Sequence, residues 1–310
     1  MKEEKIKNEN SNHASDFGKE ETDDHAIVSI IGVGHNGCHA VHNLYWKNMY
    51  TSLAVCDAYQ ESLDCSPVER KVLMGKGAHA ISSQNLDKIL IRHEWIKIIL
   101  VHLDNNISIQ GACQIASASR EKSKETIVIA SMPSQLEGVE RMEIARKGYE
   151  TLKNVADTIL TVNEPPTSLS VSEYFQTIER ELQEFASCMV RMITIRNILC
   201  FDLSDFVFIT KCHRESFLGT GYSAGALDVS DAMNNAIMSI ERNGLIFSNA
   251  KHILIFITYN DGKGFEKSND QVGDNINALL DRCDKLVESM YGILVDQSLG
   301  NRVRVELIIN

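Results

Sequence analysis

The sequence predicts an α/β protein: a parallel-sheet domain joined by one long helix to a smaller α+β domain. Three observations carry this. Short apolar runs rich in β-branched residues recur at 27–33, 51–56, 97–102, 126–131 and 157–162, which is how strands buried on both faces read. Helix-period segments separate the later runs, notably 108–121 and 137–153, and such alternation builds a parallel sheet. From Ser172 to Arg196 there is no Gly or Pro, and Phe175, Ile178, Leu182, Phe185, Met189 and Met192–Ile193 recur at three- and four-residue steps. That spacing is one amphipathic helix of about seven turns, able to connect two domains.

In chain order, residues 1–25 are charged and almost free of large apolar groups. They read as a disordered arm, neither signal peptide nor core element. The α/β domain then covers 26–170, the connecting helix 171–198 and the smaller domain 199–310. After the helix come a strand at Phe206–Ile209, a Gly-rich crossing at 219–225 and a helix near 228–242. Strands at 252–258 and 302–309 surround a further helix near 270–289.

Composition narrows the function. With 310 residues and 44% hydrophobic content, the chain can bury a sizeable core. Its 42 acidic against 31 basic residues give a net charge of −11, which disfavours nucleic acid or an anionic membrane as partner. No apolar run approaches a membrane span, so no direct insertion is expected. The eight cysteines (38, 56, 65, 113, 188, 200, 212, 283) form no CxxC. They fit reduced thiols in a cytoplasmic protein, and no metal site is expected from them.

The residues richest in chemistry lie in "IIGVGHNGCHAVHNL", 30–44. The apolar run ends at Gly32, and Gly32-x-Gly34-x-x-Gly37 leads into a helical pattern through Ala40, Val41 and Leu44. Strand, glycine turn and helix N-terminus form a phosphate cradle. A second strand, Leu53 to Asp57, ends in a carboxylate 20 positions after Gly37. That carboxylate suits a ribose diol, so a dinucleotide of the NAD type is one reading of Gly32, Gly34, Gly37 and Asp57. Glycines at such a turn also serve tight packing alone.

A longer pattern covers the chain from about residue 26 to its last residue. "IIGVGHNGCHAVHNL" is similar to the GVGGxGGNAV loop of FtsZ, the bacterial tubulin homologue. "AVCDAYQESLDCSPVERKVLMG" resembles that family's second strand and NTDAQAL segment, and "ASMPSQLEGVERMEIARKG" its PFxFEGxxRxxxAxxG. "CFDLSDF" resembles NVDFADV, and "FLGTGYSAG" the M-GTG-ASG of the second domain. The collinearity of these matches, with the long helix in place, outranks the dinucleotide reading, which explains only the first sixty residues or so.

The resemblance implies a tubulin/FtsZ-like fold: a Rossmann-like nucleotide-binding domain, a central helix and an α+β activation domain. It implies GTP or GDP as ligand, with Mg²⁺ only if a triphosphate binds. It also implies head-to-tail contact with itself or an intact FtsZ, whose acidic loop completes the hydrolytic site. Glu137 and Arg141 stand at the family's ribose contacts, and Phe175 offers a stacking face. Asp202 and Asp205 retain the acidic catalytic positions, while Cys200 replaces an Asn. Glu137 and Arg141 also read as an i,i+4 ion pair, and Asp202 as a helix cap.

The chain departs from the family in "HLDNNISIQGACQIA", which aligns with GMGGGTGTGAAPVIA. Five glycines and two threonines become Asp104 to Gln110. Backbone donors approach phosphate oxygens through glycine, β-branched Ile107 and Ile109 resist such turns, and Asp104 adds repulsion. The guanine-reading Asn-Asp pair aligns with Glu179-Arg180, and arginine has no acceptor for guanine N1 and N2. His35 replaces a glycine, and Gly75-Lys76-Gly77-Ala78-His79-Ala80 stands where the family has GAGANP. The reading that follows is an FtsZ-like pseudo-GTPase acting on filaments or a division partner. The alternatives are a divergent active GTPase and the dinucleotide-binding protein.

Overall fold

The computed structural model describes residues 27–47, 51–75, 80–90, 94–122, 124–162, 168–194, 215–225, 228–242, 245–283 and 287–310. Six parallel strands form the first half: β1 (Val28–Val33), β2 (Ser52–Asp57), β3 (Arg70–Leu73), β4 (Ile96–His102), β5 (Glu125–Ser131) and β6 (Thr158–Thr161). Their order is β3-β2-β1-β4-β5-β6, so the chain reverses direction across the sheet between β1 and β4. Crevices at that reversal, beyond the carboxyl ends of the strands, are where α/β proteins place ligands.

The helices of this half are α1 (Gly34–Tyr45), α2 (Gln60–Asp64), α3 (Ser83–Ile89), α4 (Asn106–Glu121) and α5 (Val139–Val155). The long helix follows as α6 (Val171–Thr194). Alternate strand residues sort to opposite faces. Ile30, Ile98, Leu100 and Ile129 pack with α1 and α6, while Ile31, Ile99, Val101 and Val128 pack with α3, α4 and α5. All eight strand side chains are fully buried, each contributing about 1.5–3 kcal/mol of apolar burial.

The sheet does not stop at β6. β7 (Glu215–Tyr222) pairs parallel with it through Ile159 and Leu160, and then come β10 (Arg304–Ile309), β8 (His252–Tyr259) and β9 (Glu288–Val295). β10 runs antiparallel to both neighbours. α7 (Val229–Arg242) and α8 (Gly262–Leu280) cover one face with the core of Ile253, Ile255 and Ile257. On the other face, Leu254, Phe256 and Ile308 join the core under α6. α6 therefore spans both halves, and at its end Arg191 donates to buried Glu306 of β10 at 2.6 Å. Among the described residues no helix is long and apolar enough to cross a membrane.

The structure agrees with the α/β class and with one continuous long helix, and it differs in three places. The glycines at 219 and 221 lie inside β7 rather than in a loop, because α7 sits almost on the strand backbone. A Cβ on Gly221 would stand 2.1 Å from the Ala232 carbonyl oxygen. The last helix runs 262–280, not 270–289, and 288–295 is strand β9. Its first four residues are largely exposed, so the apolar pattern there is weak. β3 and α3 bury one residue each, Val72 and Ile89, too little for a sequence signal. The strand expected at Phe206–Ile209 lies outside the described residues.

Gly221→Ala is expected to cost about 2–3 kcal/mol, because backbone and not a flexible side chain must give way. Gly225, with nothing within 4 Å of an added Cβ, serves as the control. Urea unfolding of the two alanine variants measures the difference.

Candidate functional site

At the carboxyl edge, β1 passes into α1 with no intervening residue, and Gly34 makes the turn with φ +72°. A Cβ on Gly34 would lie 2.2 Å from Ser108 Oγ, one on Gly32 2.4 Å from the Gly37 oxygen, and one on Gly37 2.3 Å from the Leu100 oxygen. All three glycines are thus required by close approach inside the protein. Within the turn, Asn36 is buried and its Nδ2 has no partner among the described residues. Cys38 donates to the Gly32 and Cys56 carbonyl oxygens. Burial, then Asp57, raises both thiols, Cys56 to about 12, so neither is a ready nucleophile.

Asp57 ends β2 and is 2% exposed. Its Oδ1 accepts the Ala58 and Tyr59 N–H groups at 2.6 and 3.3 Å, while Oδ2 is buried without a partner among the described residues. One acceptor is spent on the turn and one is left open.

Across from this turn, β4 leads into α4 through Leu103, Asp104 and Asn105. Asn105 is the cap: its Oδ1 accepts the Ser108 N–H at 2.9 Å, and its Nδ2 donates to Asp104 Oδ1 at 2.7 Å. This satisfies one of the donors that a helix start leaves free. Ser108 also lies under Gly34, so its Oγ is packed against the first turn. Ile107, Ile109 and Gln110 belong to the helix and not to a loop, and Ile109 packs over Gly148 of α5. Gly75 donates to the Ala80 oxygen at 2.7 Å; 76–79 lie outside the described residues.

Past β5, Ser134 caps a short 3₁₀ turn at Gln135–Glu137, and Gly138 (φ +98°) starts α5. The turn aims Glu137 inward. Its carboxylate accepts from the Ser134 N–H (3.3 Å), Tyr174 Oη (3.1 Å) and Arg141 Nη1 (3.3 Å), and meets His102 Nε2 at 3.3 Å. His102 Nδ1 is 2.8 Å from Ser131 Oγ, and Phe175 stands edge-on to its ring. Burial pushes the Glu137 carboxyl up, but the bonds and charge from His102, Tyr174 and Ser134 outweigh it and hold it below the ordinary range. Glu137, Arg141 and Phe175 are therefore brought together, around a buried histidine that the sequence reading did not single out.

The seam between α1 and α6 holds a second missed cluster. His39 Nδ1 is 3.7 Å from Glu179 Oε2, and the His35 and His39 rings are 4.4 Å apart at their centroids. Burial lifts the Glu179 carboxyl to about 7, while burial and the neighbouring His35 and His42 keep His39 below its usual range. The i,i+4 spacing of the two histidines was the available signal, but Glu179 joins them only through helix packing. Cys200, Asp202 and Asp205 lie outside the described residues.

This architecture is the tubulin/FtsZ fold. Superposed on the empty FtsZ dimer structure from M. jannaschii, the chain gives a TM-score of 0.79 over 92% of its length and 88% of that chain, at 19% identity. For CetZ from Methanosaeta thermophila the TM-score is 0.75, over 92% and 86%, at 14% identity. Sequence relatives agree: the chain is 22% identical to the mitochondrial division protein fszA of Dictyostelium discoideum, over 91% of this chain and 58% of that protein. It is 21% identical to cell division protein FtsZ 2 of Rhizobium meliloti, over 91% and 86%. No family model matches the chain. The likenesses support the tubulin/FtsZ family that the motifs implied, at low identity.

Glu137→Gln should destabilise the protein by about 1.5–3 kcal/mol at pH 7, the range for hydrogen bonds to a charged group. A carboxylate held below its ordinary value stabilises the fold above about pH 4.5 and loses that contribution as pH falls through the folded value. The gap between Glu137→Gln and parent should therefore shrink below pH 4.5. Urea midpoints at pH 7 and pH 3.5 read this out.

Proposed function

We propose that the chain is an FtsZ-like cell-division or cytoskeletal protein whose nucleotide site no longer suits GTP, a pseudo-GTPase that acts through filament contacts in the cytoplasm. The family resemblance and the division proteins among its relatives support the first half. The second half rests on one observation: Asn105 occupies the Ser108 N–H at the start of α4, with Asp104 beside it. A polyphosphate there would displace a cap and meet a carboxylate, at a Coulomb cost of about 1–4 kcal/mol at close range. The residues do not fit a triphosphate with its Mg²⁺, and Arg180 offers guanine no acceptor.

A specific observation favours a second reading. Asp57 Oδ2 is a buried acceptor without a partner among the described residues, the group a ribose hydroxyl of an NAD-type dinucleotide would satisfy. Calorimetry with GTP, GDP, ATP and NAD separates the readings. The proposal expects no GDP or GTP binding tighter than about 1 mM, a standard free energy near −4 kcal/mol. Micromolar GDP affinity would restore the active-GTPase reading, and NAD binding abolished by Asp57→Asn would establish the second.

The proposed partner is a second copy or an intact FtsZ. GTPγS-bound CetZ2 of Haloferax volcanii forms a protofilament, and head-to-tail growth needs both faces of every subunit. An altered nucleotide face, together with the acidic pair Asp202 and Asp205 that the resemblance implies for the opposite face, makes a filament cap. Substoichiometric addition to an intact FtsZ from the same cell should shorten filaments or change GTP turnover, and Asp202→Ala with Asp205→Ala should abolish the effect. Unchanged filaments at equimolar protein would contradict the capping role.

A further inference from the structure

We propose that His35, His39 and Glu179 bind a divalent cation of the zinc class on the seam between α1 and α6. His35 and His39 stand one helical turn apart on α1, which places both imidazoles on one face. Glu179 reaches the same point from α6, and the ligating atoms of the three residues all lie within 4.8 Å of one another. Two imidazole nitrogens and a carboxylate oxygen are the donor set of zinc sites that keep a fourth position for water.

The geometry needs little adjustment. Donors at 2.0–2.2 Å from one tetrahedral ion stand about 3.4 Å apart, so closure asks for about an ångström of side-chain movement. His35 and His39 are exposed and have that freedom. Among the described residues none of the three side chains makes a hydrogen bond, and the one ion-pair contact, 3.7 Å, is longer than a charge-assisted bond. Glu179 is a partly exposed carboxylate, its side chain 15% exposed, with no side-chain hydrogen bond among the described residues. A cation is the ligand that would bind all three groups at once. The net charge of −11 favours cations throughout. A bound ion would tie α1, which starts at the glycine turn, to α6, which spans both halves of the sheet.

The test uses the full chain, stripped with chelator and kept reduced, and titrated calorimetrically with Zn²⁺. One ion per chain should bind at micromolar affinity or tighter, and raise the melting temperature with concentration. Glu179→Gln and His39→Asn should each weaken binding by about tenfold or more, with His42→Asn unchanged. Co²⁺ should give tetrahedral d–d bands without the charge-transfer band that a thiolate ligand adds. If His39→Asn fails to fold, the exposed His35→Asn takes its place. No saturable binding at about 100 μM Zn²⁺, unaltered affinity in the variants, or a thiolate band would overturn the proposal. It uses His35 and Glu179, which align with the family's nucleotide-site positions, but none of these readouts involves nucleotide, so the two readings fail separately.

Discussion

A side chain at residue 34 has nowhere to go. An added Cβ would sit 2.2 Å from Ser108 Oγ, and this one contact fixes how the first turn, β4 and α4 meet. With Gly32 pressed on Gly37 and Gly37 on the Leu100 carbonyl, the start of α1 is locked onto two strands and a neighbouring helix. Gly34 also carries the positive φ that makes the turn without an intervening residue. The glycines that read as a ligand cradle are first of all the joint that holds the carboxyl edge together.

That joint decides what the edge can do. Ser108 is held in the first turn of α4 with its hydroxyl packed and its N–H spent on Asn105. The FtsZ resemblance implies a glycine loop where this chain has Asp104 to Gln110. The buried network around Glu137 ties β4, β5, α5 and α6 together. Two polar atoms, Asn36 Nδ2 and Asp57 Oδ2, remain buried without a partner among the described residues. One stands in the first turn of α1 and the other at the end of β2.

The fold was legible where burial writes itself into composition. Strands buried on both faces must be apolar throughout, as in Ile96–His102, and a helix covering both halves of a sheet must repeat its apolar residues for its whole length, as α6 does. It was illegible where a residue serves a contact and not a pattern. Gly219 and Gly221 read only as a Gly-rich crossing, because glycine in a strand signals close approach as often as a turn. In the site, the glycine turn and the alteration at 104–110 were readable, but the helix starts at Asn106, so only Asp104 and Asn105 are loop. The role of His102 depends on which strand and turn lie beside β4, and Glu179 joins His35 and His39 only because α1 and α6 touch.

The measurement that bears most directly on this account is the backbone amide spectrum of isotopically labelled protein titrated with GTP and Mg²⁺. With its N–H already bonded to Asn105, the Ser108 amide should neither shift nor change its exchange with solvent at about 1 mM nucleotide, a concentration that detects binding of about −4 kcal/mol or stronger. A saturating shift at Ser108, accompanied by release of the Asn105 side-chain amide from Asp104, would contradict the account and return α4 to phosphate binding.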